Sequence, residues 1–238
     1  MRRALLMSSL LAAAGAAGAD PPRYEVRRNH DPNGTGKFYL GREIAQVMGY
    51  QAAGWLDRRE REKEEDPAKL LAALELKPGM VVADVGAGSG YHTFRIAPVV
   101  APDGKVLAVD VQPQMVKLLK DRAAQKKLTN VEAIQGAEAD PKLPPGGVDV
   151  VLMVDVYHEL AQPFEMGEKL VAALKPGGRL VFVEFRLEDD AVPIKAVHKM
   201  SERQVLKEMA AFPELEHAKT VGTLPWQHVV IFTKKEGK

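Results

Sequence analysis

The sequence predicts an α/β fold in which a largely parallel sheet is covered by helices on both faces. Three observations carry that prediction. Strand-like and helix-like patterns alternate from Lys77 to the C-terminus, as expected of βαβ units with right-handed crossovers. Residues 148–154 (VDVVLMV) are almost wholly apolar, the mark of a strand buried on both faces. A glycine-rich turn, Gly86-Ala87-Gly88-Ser89-Gly90, closes the first strand of the series, where open sheets of this kind bind ligands.

The elements follow in order. Met1-Arg2-Arg3 is a basic start, residues 4–19 carry no charge, and Ala17-Gly18-Ala19 is a small-x-small pattern just before Asp20. Together they read as a secretory signal peptide over residues 1–19. This predicts a periplasmic or secreted protein; the alternative is a weakly helical N-terminus on a cytoplasmic one. The segment is too short and alanine-rich for a membrane span, so no stable membrane insertion is expected after its removal. Residues 20–36, rich in Pro, Asn, Arg and Gly, read as an irregular lead-in. From Gly41 the spacing of Ile44, Val47 and Met48 predicts a helix. The mixed charges of residues 57–66 read as a solvated helix face. Asp66-Pro67 is an N-cap followed by proline at the first helical position. Residues 20–76 are therefore taken as a lead-in and helical appendage, and residues 77–238 as the main domain. The appendage with Tyr39 and Trp55 is either a lid over the site or packing on the sheet edge.

In the main domain, strands are predicted at residues 80–85, 105–111, 131–135, 148–154 and 179–184. A terminal antiparallel pair is predicted at 215–221 and 229–233. Helices are expected at 113–127, 164–174 and 201–212. Lys175-Pro176-Gly177-Gly178 is a proline–glycine stop after the second of these.

Composition narrows the function. The chain has 238 residues, is 46% hydrophobic and 27% charged, and carries a formal charge of +1. That length and balance suit one substantial domain with an ordinary core. Near-neutrality argues against a nucleic-acid partner. There is no cysteine, which removes thiolate nucleophiles, Cys-zinc sites and disulfides.

The glycine turn alone is compatible with several nucleotide cofactors. Asp84, two residues before Gly86, discriminates between them. A carboxylate there would repel the two phosphates of a dinucleotide, whereas the ammonium of S-adenosylmethionine would be attracted. Gly86, Gly88 and Gly90 give G-x-G-x-G, not G-x-G-x-x-G. Asp110 ends the second strand, 20 residues after Gly90, where a carboxylate accepts hydrogen bonds from both ribose hydroxyls.

Residues 81–90 (VVADVGAGSG), 106–110 (VLAVD) and 174–180 (LKPGGRL) resemble the class I S-adenosylmethionine-dependent methyltransferases. The resemblance spans residues 81–184. It implies a Rossmann-like three-layer sandwich whose seven-stranded sheet has an antiparallel last strand, with S-adenosylmethionine as cofactor. It also implies that Asp84 and the glycines hold the methionine portion and that Asp110 holds the ribose. The expected cofactor set is Asp84, Gly86, Ala87, Gly88, Gly90, Asp110, Val111, Ala137, Glu138 and Asp155. Many relatives have Gly-Asp-Ala after the third strand, but here the sequence is Gly136-Ala137-Glu138. Adenine recognition then falls to Glu138 or to the backbone at Ala137. An exported enzyme would need a supply of this cytoplasmic cofactor.

The acceptor side is expected where the fourth strand runs into Asp155-Val156-Tyr157-His158-Glu159. The stretch is similar to the ubiquinone/menaquinone-biosynthesis methyltransferases, which implies a small-molecule acceptor methylated at oxygen or carbon. His158 is the candidate base, because imidazole titrates near neutrality; capping the following helix is the alternative. Tyr157, His198 and His228 complete the candidate acceptor set. Asp155, Glu184 and a histidine would suit a divalent cation, but strand-end carboxylates are commoner without one and no metal is assigned. Gly88-Ser89-Gly90-Tyr91-His92-Thr93 is also similar to the glycine loop of protein isoaspartyl methyltransferases. Protein carboxyl methylation and a non-catalytic, exported cofactor-binding protein are the competing readings.

Overall fold

Ahead of the alternating region the chain folds as sheet, not as the helix its spacing predicts. The computed structural model describes residues 23–237, so the expected signal peptide, residues 1–19, lies outside the described residues. Strands β1 (Tyr24–Val26), β2 (Gly34–Tyr39) and β3 (Arg42–Ala45) form an antiparallel sheet. Tyr39 pairs with Arg42 across Leu40 and Gly41, which both have positive φ, 48° and 91°. Two positive-φ residues in a two-residue loop make the hairpin turn whose twist matches antiparallel strands. Glycine adopts this freely; leucine does so at a strain of order 1 kcal/mol, so Leu40-Gly41 does not advertise a turn in the sequence. The i, i+3, i+4 spacing of Ile44, Val47 and Met48 arises across a strand end and the irregular segment after it.

Three short helices follow: α1 (Ala53–Leu56), α2 (Arg61–Glu64) and α3 (Pro67–Ala73). The Asp66 carboxylate caps α3 by accepting from the Lys69 N–H at 3.0 Å. Leu70 and Leu74 are buried in one of the main sheet's two apolar layers, so α3 packs directly on the main sheet.

The main domain runs β4 (Val81–Val85), α4 (Thr93–Val100), β5 (Lys105–Asp110), α5 (Pro113–Gln125), β6 (Val131–Gln135), β7 (Val148–Val154), α6 (Pro163–Ala173), β8 (Leu174–Phe185), α7 (Glu202–Met209), β9 (Leu215–Val221) and β10 (Gln227–Lys234). The seven strands lie in the order β6-β5-β4-β7-β8-β10-β9. The pairs β4–β5, β4–β7, β5–β6 and β7–β8 are parallel. Strand β10 is antiparallel to both β8 and β9, which gives the Rossmann-like sandwich with its antiparallel last strand. The proline–glycine stop turns out to be a bulge. Leu174 pairs with Val148 and Arg179 with Val150, so residues 175–178 loop out within β8.

Alternation along the strands sends side chains to two apolar layers. Ala83, Val85, Val151, Met153, Leu180 and Phe182 pack under α6 and α7 with Leu170, Val205 and Met209. Val82, Val150, Leu152, Val181 and Val183 pack under α3 and α4 with Leu70, Ile96 and Val100. Between β4 and β7 the winding reverses, so the crevice beyond the C-terminal ends of these strands is the place for a ligand.

Candidate active site

That crevice holds a cavity of about 650 Å³, roofed by Met48, Trp55 and Leu56 of the N-terminal segment. The volume is within the range of small-molecule sites, roughly 300–1,000 Å³. Hydrogen bonds tie the roof down. Gln112 donates to the Met48 carbonyl at 3.0 Å and accepts from the Tyr50 N–H at 2.8 Å. Asp57 accepts from Ser89 Oγ and from Arg122, both at 2.8 Å. The N-terminal segment therefore covers the cavity as well as packing on the sheet.

At one end the lining is Gly86, Gly88, Asp110, Val111, Ala137, Glu138 and Asp155. Gly86 has φ +75°, and a Cβ on it would lie 2.3 Å from Val156 Cγ2. Gly88 has φ +53°, and a Cβ on it would lie 2.7 Å from Leu56 Cδ1. The positive φ favours glycine at both positions, and at Gly86 the branched Val156 side chain leaves no room for a Cβ. Asp110 accepts from the Gly88 N–H at 3.0 Å and the Gln112 N–H at 2.9 Å. Each carboxylate oxygen keeps a further lone pair for a hydroxyl. Burial raises the Asp110 pKa against these backbone donors.

Asp84 departs from its expected place. It is the fourth residue of β4, so it shares the face of Val82 and points into the layer under α4. There it accepts from Thr93 Oγ1 at 2.5 Å, and it does not line the cavity. Burial pushes its pKa from the ordinary 3.8 up to about 6, against the pull of Thr93 and Arg61. The carboxylate that does face the cavity is Asp155. It follows β7 in a left-handed conformation, φ 52°. One oxygen accepts from Gln227 Nε2 at 2.7 Å, while Oδ1 is buried without a partner. Burial, reinforced by Glu65, raises its pKa above the ordinary aspartate value.

Arg61 lines the same end, although its charge run reads as solvated. Its side chain is 5% exposed, donates to Glu65 at 2.6 Å and lies 3.9 Å from Asp155. Its partner four residues on, Glu65, is also buried, but Asp57/Arg61 and Arg58/Glu62 have the same spacing, so the pairing does not single Arg61 out in the sequence. Ala87 and Gly90 do not reach the cavity. Ala87 packs with Ala108 and Leu119, and Gly90 backs onto Phe94 and Leu119. The Ala137 N–H is already bonded to the Asp140 carbonyl at 2.8 Å. Of the two sequence candidates at this end, Glu138 offers a side chain to the cavity, whereas the Ala137 N–H is engaged.

These residues fit S-adenosylmethionine. The unpartnered Asp155 oxygen suits the methionyl ammonium, Arg61 its carboxylate, and the spare lone pairs of Asp110 the ribose hydroxyls.

The other end of the cavity is lined by His158, Glu159 and His198. His158 is 2% exposed, and its Nδ1 lies 2.6 Å from Glu184 Oε2. Donation from Nδ1 to that carboxylate leaves the Nε2 lone pair available. Burial opposes the charged ring, but the Glu184 carboxylate prevails and the His158 pKa is raised. Glu184 Oε1 also accepts from the Tyr157 N–H at 3.0 Å. Among the described residues the ligand atoms that come together are those of His158, Glu159 and His198, so the cation set of Asp155, Glu184 and a histidine is not assembled. His198 Nδ1 lies 3.2 Å from His158 Nε2. Tyr157 turns into the core, edge-on to Phe182 at 4.8 Å between centroids. His228 sits on β10 opposite Glu184, buried, outside the cavity lining, with burial lowering its pKa. The structure thus keeps His158 and His198 on the cavity wall and leaves Tyr157 and His228 out of it. The turn after β7 directs Tyr157 into the core, and strand β10 holds His228 away from the cavity.

Fold and cavity together define a Rossmann-like protein with a nucleoside-cofactor site under a lid. Residues 76–234 match the model of the methyltransferase domain family, and the chain belongs to that family, whose cofactor is S-adenosylmethionine. It is 31% identical over 111 residues to the ubiquinone/menaquinone biosynthesis C-methyltransferase UbiE of Ectopseudomonas mendocina, covering 46% of this chain and 43% of that protein. It is 32% identical over 114 residues to the protein-L-isoaspartate O-methyltransferase of Pyrococcus horikoshii, covering 48% of each. The chain therefore spans about half the length of these relatives. Among solved structures, a SAM-dependent methyltransferase from Aquifex aeolicus superposes with a TM-score of 0.74 at 28% identity, covering 79% of this chain and all of that one.

Proposed function

We propose that this protein transfers the methyl group of S-adenosylmethionine to a small-molecule acceptor, at oxygen or carbon. The observation that carries the reading is the second end of the cavity. A histidine oriented by a buried carboxylate shares one roofed, largely apolar space with the cofactor cradle. The cofactor supplies an electrophilic methyl group. Asp155 and Arg61 would hold its methionyl end, Asp110 its ribose, and Val111 and Glu138 its base. His158 Nε2 would take the proton that the acceptor loses, with Glu184 stabilising the resulting imidazolium. The lid excludes water and holds the acceptor against the cofactor, so proximity contributes much of the rate.

The isoaspartyl reading has the Pyrococcus horikoshii relative in its favour. Against it, Tyr91 and His92 of the similar loop do not line the cavity. Export, read from residues 1–19, belongs to the same proposal. No helix among the described residues is long and apolar enough to cross a membrane. The test is S-adenosylhomocysteine release against a panel of phenols, quinols, β-dicarbonyl compounds and an isoaspartyl peptide. Release with a small acceptor and not with the peptide is expected. Release with the peptide alone would make it a protein carboxyl methyltransferase. Cofactor binding with no release from any acceptor would make it a binding protein.

A further inference from the structure

We propose that His158, Glu159 and His198 form a site for one divalent first-row transition ion at the acceptor end of the cavity. The inference deepens the reading above, and rests on it for the claim that the acceptor lies here.

The geometry comes from ligand atoms on separate elements. His158 and Glu159 sit on the turn after β7, while His198 comes from the loop after β8. One ligand atom from each of the three falls within 4.8 Å of the other two. His158 Nε2 and His198 Nδ1 are 3.2 Å apart. Two imidazole nitrogens each about 2.0–2.1 Å from a tetrahedral ion would stand about 3.3 Å apart, so this separation needs almost no adjustment. Glu159 Oε1 is 3.6 Å from His198 Nδ1 and 3.9 Å from His158 Nε2. A few tenths of an ångström of side-chain movement would bring it into the same shell.

The support behind these atoms is of the kind metal ligands carry. A ligating histidine usually donates its other N–H to a carboxylate, which fixes the tautomer and aims the lone pair. His158 has that arrangement with Glu184, itself fully buried. With two neutral imidazoles, Glu159 and Glu184 give the site two negative charges. Arg42 approaches only the His158 carbonyl, at 3.1 Å, and its charge is matched by Glu208 at 2.7 Å. Three protein ligands facing a cavity leave a position open, as in catalytic and not structural metal sites.

An ion there would change the part His158 plays, from base to ligand. An acceptor oxygen in the open position would lose its proton to solvent because the cation stabilises the oxyanion. The O–CH₃ bond would then form as the S–CH₃ bond breaks, releasing the neutral thioether. The favoured acceptor class would be an enol, phenol or other hydroxyl compound able to coordinate through oxygen.

The test is zinc titration of the metal-stripped full chain by calorimetry, without acceptor, with elemental analysis of the dialysed protein. One Zn²⁺ per chain is expected. His198→Ala and Glu159→Gln should each weaken binding by about a hundredfold, and Glu184→Gln by about tenfold. S-adenosylhomocysteine affinity should change less than twofold in His198→Ala, which shows that the variant is folded. Failure of the wild type to bind stoichiometric zinc would overturn the site and leave the histidines as a hydrogen-bonded pair. Unchanged zinc affinity in folded His198→Ala would overturn it equally. Stoichiometric zinc with no methyl transfer to any acceptor would instead remove the functional reading while leaving the metal site in place.

Discussion

Replacing Asp84 by asparagine tests whether this carboxylate belongs to the fold or to the cofactor. Its side chain is buried under α4, with Thr93 donating to it, Arg61 the nearest cation acting on it, and Asp110 the opposing anion. The folded-state pKa is raised from 3.8 to about 6. For an acid with a raised pKa, stability is fully present below the unfolded value and is lost as pH rises through the folded value. The wild type should therefore lose about 3 kcal/mol between pH 3.8 and 7, at roughly 1.4 kcal/mol per tenfold change in proton affinity. Asparagine does not ionise, so the variant lacks this loss. It pays a separate pH-independent penalty of about 1–2 kcal/mol, because its amide N–H₂ replaces an acceptor beside Thr93. The readout is hence the change in the stability difference and not its sign at one pH. Urea unfolding of both proteins from pH 4.5 to 8 should show the difference moving in favour of the variant by about 2 kcal/mol or more. Affinity for S-adenosylhomocysteine at pH 8 should remain within about twofold. A pH-independent stability difference would refute the buried, raised-pKa description. A tenfold loss of cofactor affinity with unchanged stability would return Asp84 to the methionyl site.

Asp110→Ala removes the carboxylate that orients the glycine turn and faces the ribose end, and should weaken S-adenosylhomocysteine by about 1–3 kcal/mol in calorimetry. His158→Ala should lower kcat by about 10²–10⁴ while leaving cofactor affinity nearly unchanged, measured with the acceptor that the panel identifies. Arg42→Met strands the fully buried carboxylate of Glu208 on α7. It should cost about 3–5 kcal/mol in denaturant unfolding, because a buried charge is left unpaired. Protein isolated from its native host should begin at Asp20 by N-terminal sequencing; an intact Met1-Arg2-Arg3 start would exclude cleavage there.

Much of the main domain was legible because its signals are local. Residues 80–85, 105–111, 131–135 and 148–154 read as strands from apolar runs, and Asp66-Pro67 as a helix start from capping chemistry. The glycines at 86 and 88 mark a tight turn in sequence and in space alike. The N-terminal sheet was illegible because its hairpin turns on Leu40-Gly41, a strained pair without a turn signature. In the same way, nothing local separates Arg61 from the other charges of residues 57–66. Its burial depends on a lid folding back over a crevice that those residues do not encode.

The sequence by itself determined the layered α/β architecture, the glycine turn and the strand-end acids at positions 84, 110 and 155. Periodicity, backbone freedom and strand-end position are properties of a few neighbouring residues. The tertiary structure decided which of those acids faces the cavity. Strand β4 sends Asp84 into the layer beneath α4, while the left-handed turn after β7 swings Asp155 into the crevice. It also decided which histidines meet. His158 and His198, 40 residues apart, converge to 3.2 Å, whereas His228 is held on β10 outside the cavity lining. A side chain's direction at a strand end is set by which sheet face is covered, and by what. That information lies in the packing of distant segments and not in the neighbours of the residue.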